Sequence, residues 1–481
     1  MARRRGGRVR ATPGLGGPRP DPYAFGHGDP RFHVEHYDLE LDYRVRTNRL
    51  SGTAHLRVRT LEPLSELRLD LSGLSVHGVL VDGAPPARYR HRGGTLTVRL
   101  ADPAPAQTVL GVHVTYAGAP RPVASPWGEV GWEELEDGVI VASQPTGAPS
   151  WFPCNDRPDD RATYRTSVTV ENPYVVVAHG TPVAARPRAG ATTWEFDEPY
   201  PTSTYLATVQ IGRYADVVLV DAPVRQRVLV PPHLVAGARR RLARQPQMMD
   251  AFVDLFGPYP FDAYTLVVTP DPLEIPLEAQ GMAVFGSNHL GSGADDDAGR
   301  LVPHELAHQW FGNSVSVAGW QHIWLNEGFA CYAEWLWSEV SGGPTTDALA
   351  SDHHDALARL PQDLTLADPG PSDLFDDRVY KRGALTLHAL RRTLGDAPYR
   401  ELVHTWTGRH RGGTVTTADL RALAAEVAGR SGGEAQVARV EELLTDWLDR
   451  PALPPLPGPA PSLPRRLLDH LRHPTSSRAP S

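Results

Sequence analysis

Two histidines four residues apart are the residues of this sequence best suited to hold a metal ion. His304 and His308 flank Glu305 in the segment His-Glu-Leu-Ala-His. On a helix, residues four apart share one face with their Cβ atoms about 5–6 Å apart, so both imidazoles can bind one ion. The spacing H-E-x-x-H is a signature of zinc peptidases, in which the histidines are ligands and the glutamate is the general base. The alternative is a pair of solvated histidines on a surface helix.

A third ligand follows at a spacing that fits catalytic zinc. Eighteen residues separate His308 from Glu327, which begins a second helical pattern. Catalytic zinc takes three protein ligands plus one open position, and two histidines with one glutamate form a common set. The sequence therefore predicts one Zn²⁺ held by His304, His308 and Glu327. The neighbouring Asn326 is interpreted either as a partner of a histidine ligand or as a helix cap.

The motif H-E-x-x-H-x₁₈-E, with Gly-Phe-Ala after the glutamate, resembles the aminopeptidase N and leukotriene hydrolase family of gluzincin zinc metallopeptidases. The resemblance covers about residues 32–450. It implies an α+β multidomain fold, with an all-β N-terminal domain followed by a thermolysin-like, mostly helical catalytic domain. The larger members continue into a helical-repeat domain that closes the substrate cavity. Only 31 residues follow residue 450 here, so we expect a short form with an open cleft.

The same resemblance implies residues that bind substrate. Residues 274–285 align with the family's segment G-A-M-E-N-x-G, so that Glu278 falls on its glutamate and Gly281 on its second glycine. Gln144 corresponds to the family's glutamine beside the N-terminal residue of the substrate. In the family the glutamate binds the free α-amino group, and a charge-assisted hydrogen bond of this kind is roughly twice as strong as a neutral one. The alternative for Glu278 is an ordinary exposed loop residue.

A tyrosine beyond the metal ligands completes the implied catalytic set. Tyr380 begins the segment Tyr-Lys-Arg-Gly, 53 residues after Glu327. This segment is similar to the family's Y-x-K-G, whose tyrosine stabilises the oxyanion. The resemblance thus assigns catalysis to Glu305 as base and to Tyr380 as oxyanion donor. Without the local match, a tyrosine at the start of a helix would be a packing residue.

The composition excludes several classes of protein. A formal net charge of −8 gives no reason to expect nucleic acid or an anionic membrane as a partner. The two cysteines, Cys154 and Cys331, do not form a disulfide framework. No run approaches the roughly 18 apolar residues of a membrane span, and residues 1–30 lack the apolar core of a secretory signal. A cytoplasmic location is expected. Lys381 is the only lysine among 48 basic residues, a bias from which no function follows.

Composition and periodicity divide the chain into four regions. Residues 1–30, rich in Arg, Gly and Pro, are predicted to be disordered. Residues 31–215 alternate with period two between turn residues, which predicts a β-sandwich or saddle-like domain. Residues 216–450 form the predicted peptidase domain, and the Pro-rich residues 451–481 a disordered tail. Helical patterns are predicted over residues 235–256, 302–312, 398–407, 417–428 and 437–448.

The resemblance therefore implies a zinc aminopeptidase that acts on peptides with a free N-terminus. Three alternatives stay open. A zinc endopeptidase would share the metal site, and an epoxide hydrolase of the leukotriene type is chemically compatible with it. A catalytically inert binding scaffold is the alternative from a different class. Neither nucleic acid nor a membrane is an expected partner.

Overall fold

The computed structural model describes residues 21–24, 26–290 and 297–458. Among these residues, an all-β region comes first and a region of helices with a mixed sheet follows. The predicted fold class, an all-β N-terminal domain followed by a mostly helical catalytic domain, is thereby confirmed.

Strands of alternating burial build the N-terminal domain. They are β1 (Phe32–Arg44), β2 (Arg49–Thr60), β3 (Leu64–Asp70), β4 (Ser75–Val81), β5 (Arg88–Arg92), β6 (Thr95–Ala104), β7 (Val109–Gly118), β8 (Val123–Ser125), β9 (Gly128–Leu135), β10 (Gly138–Ala142), β11 (Arg161–Glu171), β12 (Val175–Ala178), β13 (Thr181–Arg188), β14 (Ala191–Ser203) and β15 (Val209–Gly212). In β1, for example, Tyr37, Leu39, Leu41 and Tyr43 are buried and the residues between them are not. Side chains alternate between the faces of a strand, so this pattern places one face of the sheet in the core.

These strands form three sheets within the described residues. The largest has seven strands in the order β13-β14-β11-β1-β2-β7-β4, and β1 pairs in parallel with β11. A five-stranded sheet has the order β12-β15-β10-β9-β8, and a three-stranded sheet has the order β3-β6-β5. The loop after β10, which carries Gln144, and the first residue of β11 both face the second domain through contacts described below.

The catalytic domain combines a mixed sheet with helices. Its strands are β16 (Ala215–Val220), β17 (Arg225–Val230), β18 (Ala263–Val268), β19 (Leu277–Ala279), β20 (Met282–Phe285), β21 (Ser316–Val317) and β22 (Thr414–Val415). Its helices are α1 (Val235–Arg241), α2 (Gln245–Phe256), α3 (Asp297–Ala307), α4 (Trp324–Val340), α5 (Thr346–Leu357), α6 (Asp377–Leu394), α7 (Asp396–Arg409) and α8 (Thr417–Asp449). The sheet order is β16-β17-β18-β20-β19, with parallel pairs at its centre and the antiparallel β19 at one edge.

Two predicted helices have different bounds in the structure. The helix predicted over residues 235–256 is two helices, α1 and α2. Pro246 stands in the first turn of α2, and a proline there would block the helical hydrogen bond of a continuous helix. The metal helix predicted over residues 302–312 ends at Ala307 instead, because the next residues make tighter bonds, as from Trp310 N–H to the Ala307 carbonyl (3.0 Å).

The two helices predicted near the C-terminus meet in one long element. Residues 417–428 and 437–448 both lie in α8, which is broken by a non-helical residue, Gly433, at φ +65°. Glycine adopts this left-handed conformation without a steric penalty, so the chain can bend there. The predicted pair of helices is therefore correct, but the connection is a kink.

A segment at the start of the described chain holds the two domains together. Tyr23 is buried in the core of the catalytic domain, and its hydroxyl donates to the carboxylate of Asp368. A few residues later, the Gly28 N–H donates to Asp70 Oδ2 (2.8 Å) in the N-terminal domain. We call residues 21–24 and 26–31 the strap, because they contact the catalytic domain at one end and the N-terminal domain at the other.

The last described residues are also bound to the fold. The backbone carbonyls of Pro451, Pro454 and Pro457 accept hydrogen bonds from Arg382 (2.5 Å), His354 (2.8 Å) and Arg392 (2.6 Å), respectively. Because every residue has a backbone carbonyl, amino-acid composition cannot predict these contacts.

The prediction of disorder at both ends is therefore wrong for residues 21–24, 26–30 and 451–458. Residues 1–20 and 459–481, to which it also applied, lie outside the described residues. Within the described part, no helix has the length and apolarity that crossing a membrane requires.

Candidate functional site

The three predicted metal ligands converge in the structure. His304 lies in the last turn of α3, and His308 follows it with its N–H bonded to the His304 carbonyl (3.2 Å), so both rings share one face. Glu327 lies in the first turn of α4. The Nε2 atoms of both histidines are 3.4 Å from Glu327 Oε2, and all three side chains are buried. Among the described residues, this is the group of His, Cys, Asp and Glu side chains arranged to hold a metal ion.

The other ring nitrogens fix the orientation of the histidines. His304 Nδ1 donates to Glu334 Oε1 (2.7 Å), and His308 Nδ1 donates to the Phe311 carbonyl (3.0 Å). A carboxylate and a carbonyl are acceptors, so each Nδ1 carries a proton and each Nε2 keeps its lone pair for an ion. Such partners hold a ligand ring in place and raise its basicity.

The structure corrects the interpretation of Asn326. Neither histidine is bonded to it, and it lies inside α4, which begins at Trp324, so it is not a cap either. Its Nδ2 is buried with no hydrogen-bond partner among the described residues. The partner of His304 is Glu334, which sequence reasoning missed. Glu334 lies seven residues after Glu327, two helical turns further along the same face, and that spacing was the available signal.

The electrostatics of the centre are those of a cation site. Burial alone opposes the charged form of His304, but hydrogen bonds to Glu327 and Glu334 raise its pKa to about 9. For His308, burial is likewise outweighed by the charges of Glu278 and Glu327, and the pKa rises to about 10. Burial also opposes ionisation of Glu327, yet the two histidines lower its pKa to about 2. The carboxylates around the imidazoles therefore favour a positive charge at this position.

The residues present fit a zinc ion on two further counts. Two imidazoles and one carboxylate are a donor set that catalytic zinc uses, and it leaves one coordination position open. Beside the ligands, Glu305 Oε2 is buried and has no hydrogen-bond partner within the described part of the chain. Burial raises the pKa of Glu305 to about 8, against the lowering effect of both histidines. An orphaned carboxylate oxygen next to an open metal position is suited to accept a proton from water.

A glutamine and a glutamate from different domains meet next to the metal ligands. Gln144 Nε2 donates to Glu278 Oε1 (2.7 Å), across the boundary between the loop after β10 and the edge strand β19. The charge of Glu278 is close enough to His308 to contribute to its raised pKa. Burial raises the pKa of Glu278 itself, although His308 acts in the opposite direction. The structure thus brings both predicted amine-binding residues together.

Gly281 is the third residue predicted to bind substrate. It forms the turn between β19 and β20 at φ +70°. Its N–H donates to Gln309 Oε1 (2.8 Å), and its carbonyl accepts from the Thr265 N–H (2.9 Å). Gly281 therefore shapes the edge of the sheet, and its binding of substrate stays a prediction.

Tyr380 lies over the metal centre. It belongs to the first turn of α6, and its ring stacks on that of His304 with centroids 6.2 Å apart. Burial and the surrounding carboxylates hold the pKa of Tyr380 well above its usual range, so its hydroxyl keeps the proton that it would donate. Helices α4 and α6 touch at Gly328 and Gly383, where a Cβ on Gly383 would lie 2.8 Å from the Gly328 Cα. Only glycines allow this approach, which sets the distance between Glu327 and Tyr380.

Lys381 follows Tyr380 but turns away from the centre. Its ammonium donates to Cys331 Sγ (3.4 Å) and lies 4.0 Å from Asp377, and the side chain is only 12% exposed. Cys331 and the other cysteine, Cys154, are both buried and free.

The described residues thus combine a buried group that can hold a metal ion with an unpartnered carboxylate oxygen beside it. Two family profiles match the chain: the Peptidase family M1 domain over residues 241–447 and the Peptidase M1 N-terminal domain over residues 33–206. The chain belongs to peptidase family M1. The predicted relationship to the aminopeptidase N and leukotriene hydrolase group, and with it the prediction of an enzyme, is confirmed.

Relatives and solved structures support the same conclusion. An M1 zinc metallopeptidase from Deinococcus radiodurans is 32% identical, with a TM-score of 0.79 over 92% of this chain and 99% of that one. Leucine aminopeptidase 2 from Sclerotinia sclerotiorum is 25% identical over 87% of this chain and 72% of its own length. Tricorn protease-interacting factor F2 from Thermoplasma acidophilum is 23% identical, and this chain spans 54% of it. The cofactor of this peptidase is zinc.

Proposed function

We propose that this protein is an aminopeptidase, which hydrolyses the first peptide bond of peptides with a free N-terminus. The observation that carries the proposal is the contact between Gln144 and Glu278 next to the metal ligands. A carboxylate in this position can bind the α-ammonium group of a peptide, and Gln144 keeps the carboxylate pointed at it. A variant of the related Deinococcus enzyme has been solved with a Tyr-Ser-Ala substrate, which supports short peptides as substrates.

The chemistry is divided among few side chains. His304, His308 and Glu327 would hold zinc, which supplies an acidified water and polarises the carbonyl that is attacked. Glu305 accepts the proton of the water at its unpartnered Oε2 and returns it to the leaving amine. The Tyr380 hydroxyl donates a hydrogen bond to the oxyanion, a contact worth about 2.7–4 kcal/mol in comparable sites.

Recognition of the free amine is tested by comparing a peptide with its N-acetylated form. Acetylation removes the charge and leaves Glu278 without its partner, so we expect kcat/KM to fall by at least 10²-fold. In Glu278→Ala, activity on the free peptide should fall toward that on the blocked one. Glu274→Ala, at an exposed position on the same segment, is the control and should behave like wild type. Similar rates on free and blocked peptides in wild type would overturn the proposal in favour of an endopeptidase.

A further inference from the structure

Arg161, the first residue of β11, is almost completely buried, at 7% exposure, and its guanidinium reaches oxygens from four segments. It donates to the carbonyls of Pro201 (3.1 Å), Asn313 (2.6 Å), Ser314 (3.2 Å) and Gly413 (2.9 Å) and to Gln280 Oε1 (3.5 Å). None of these acceptors is a carboxylate. Burial lowers the pKa of Arg161 to about 10, which still leaves it charged at neutral pH.

The acceptors of Arg161 belong to the parts that must be aligned for amine recognition. Asn313 and Ser314 end the metal-binding segment, residues 304–314, which begins with the two histidine ligands, and Gln280 is two residues after Glu278. Asn313 Nδ2 in turn donates to the Ala279 carbonyl (2.9 Å), which ties the strand of Glu278 to the metal-binding segment.

The same guanidinium is anchored in the N-terminal domain. Arg161 starts β11 there, and Pro201 lies on the adjacent strand β14. Gln144 belongs to this domain too, whereas Glu278 and the metal ligands belong to the other. The relative position of Gln144 and Glu278 therefore depends on contacts that cross the domain boundary, and Arg161 makes several of them at once.

We propose that Arg161 is a positioning residue for recognition of the substrate's N-terminus, which holds the domain of Gln144 in register with Glu278 and the metal-binding segment. This inference rests on the proposed aminopeptidase function. The role requires arginine, because a planar guanidinium offers five N–H donors in a fixed fork, whereas a lysine ammonium offers three at one point. Lysine at this position would leave buried carbonyls unsatisfied and the register of the two domains less defined.

The variant Arg161→Lys tests the inference. We expect KM for free-amine peptides to rise at least tenfold and the preference for free over N-acetylated peptide to fall by a similar factor. The change in kcat should be smaller, and one zinc per chain should remain, since no metal ligand is altered. Amide hydrogen exchange should become faster in residues 138–147 and 277–285, the two segments that Arg161 aligns.

Arg382→Lys is the matched control. Arg382 is buried as well, at 4% exposure, and also donates only to carbonyls, but within the catalytic domain, as to Trp447 (2.9 Å) and Pro451 (2.5 Å). It should lower the melting temperature about as much as Arg161→Lys does, without changing the preference for free peptides or the exchange in the two segments.

Two outcomes separate failure of the inference from failure of the proposed function. If Arg161→Lys folds and keeps both the wild-type preference and the wild-type exchange, Arg161 is structural only and the inference is overturned. If wild type itself shows no preference for free peptides, the proposed function fails, and the exchange measurement alone decides whether Arg161 aligns the two segments. An equal effect of Arg382→Lys on either readout would also overturn the inference.

Discussion

Each histidine of the metal centre uses one ring nitrogen for the protein and leaves the other for the ion. The acceptors differ, since His304 is bonded to a carboxylate and His308 to a backbone carbonyl. The carboxylate carries a negative charge, and the backbone carbonyl does not. The two imidazoles are therefore unequal, although the sequence motif presents them as a symmetrical pair.

The general base should be separable from the metal ligands. Glu305→Gln removes the proton acceptor but no ligand, so zinc should stay at one per chain while kcat falls by about 10²–10⁴-fold. Elemental analysis of the purified variant and kcat on an aminoacyl anilide measure the two effects. His308→Ala is the contrasting variant, since it should lose zinc and activity together. Full activity in Glu305→Gln would assign the role of base to another group.

A buried acid away from the metal centre should make stability depend on pH. Glu198 is buried on β14, and burial raises its pKa to about 8. Between pH 4.5 and 8 the unfolded chain loses this proton and the folded protein keeps it, so stability falls as pH rises. In Glu198→Gln this decrease in stability should be absent, because glutamine does not ionise. The glutamine can still accept the hydrogen bond from the Tyr200 N–H.

The melting temperature of Glu198→Gln relative to wild type should therefore rise from pH 4.5 to pH 8 and level off above. Thermal unfolding at a series of pH values checks this expectation. Glu274→Gln, at an exposed position, controls for the loss of one negative charge. A constant difference across the range would show that Glu198 is ionised in the folded protein.

Local spacing explains why some site residues could be predicted and others not. H-E-x-x-H lies within two helical turns, so its geometry follows from the helix alone. The prediction of Asn326 as a histidine partner is wrong, because a residue next to Glu327 in sequence is rotated from it by about 100° on the helix. Gln144 and Glu278 are 134 residues apart and meet across two domains, so no spacing rule brings them together. Only the resemblance to known metallopeptidases indicated that pair.

Between elements, the crossing of α4 and α6 fixes the reach of the oxyanion donor. Gly383→Ala would place a Cβ 2.8 Å from the Gly328 Cα, so α6 has to move away and carry Tyr380 with it. A shift of about 1 Å at a catalytic group can cost 10²-fold in rate. We expect kcat of Gly383→Ala to approach that of Tyr380→Phe, which should itself be 10²–10³-fold below wild type.

Zinc content should be unaffected in both variants, because no ligand lies on α6. Gly408→Ala is the control, since that glycine lies in α7 with no atom within 4 Å of the added Cβ. It should keep kcat and gain up to about 1 kcal/mol in stability from the better helix propensity of alanine. Unchanged kcat in Gly383→Ala would mean that the helix crossing does not set the position of Tyr380.

Over the whole molecule, the strap stabilises the two domains jointly. The Tyr23 hydroxyl donates to Asp368 and accepts the Gly370 N–H (2.7 Å), so Tyr23→Phe leaves both partners without it. We expect the free energy of unfolding to fall by about 1–3 kcal/mol, measured by urea denaturation. Tyr89→Phe, at an exposed tyrosine, is the control and should have no measurable effect. If Tyr23→Phe is as stable as wild type, packing of the ring, and not its hydroxyl, anchors the strap.

The overall architecture was predictable, while the ends of the chain were not. In the strands of the N-terminal domain, apolar and polar residues alternate because one face of each strand is buried. This alternation can be read directly from the sequence. The strap and residues 451–458 have the composition of disordered segments, with many Pro and Gly residues. They are ordered by contacts to distant side chains, such as Asp70 and Arg392, which composition does not encode.

The only lysine has a practical consequence for chemical conjugation. Reagents that acylate amines ignore arginine, and the one side-chain amine that they could modify is the ammonium of Lys381, directed at Cys331 and 12% exposed. Of the side chains in this sequence, none should therefore take up such a label readily. An exchange of one exposed arginine for lysine, for instance Arg450→Lys at the far end of α8, would add one addressable position for a fluorophore or a solid support.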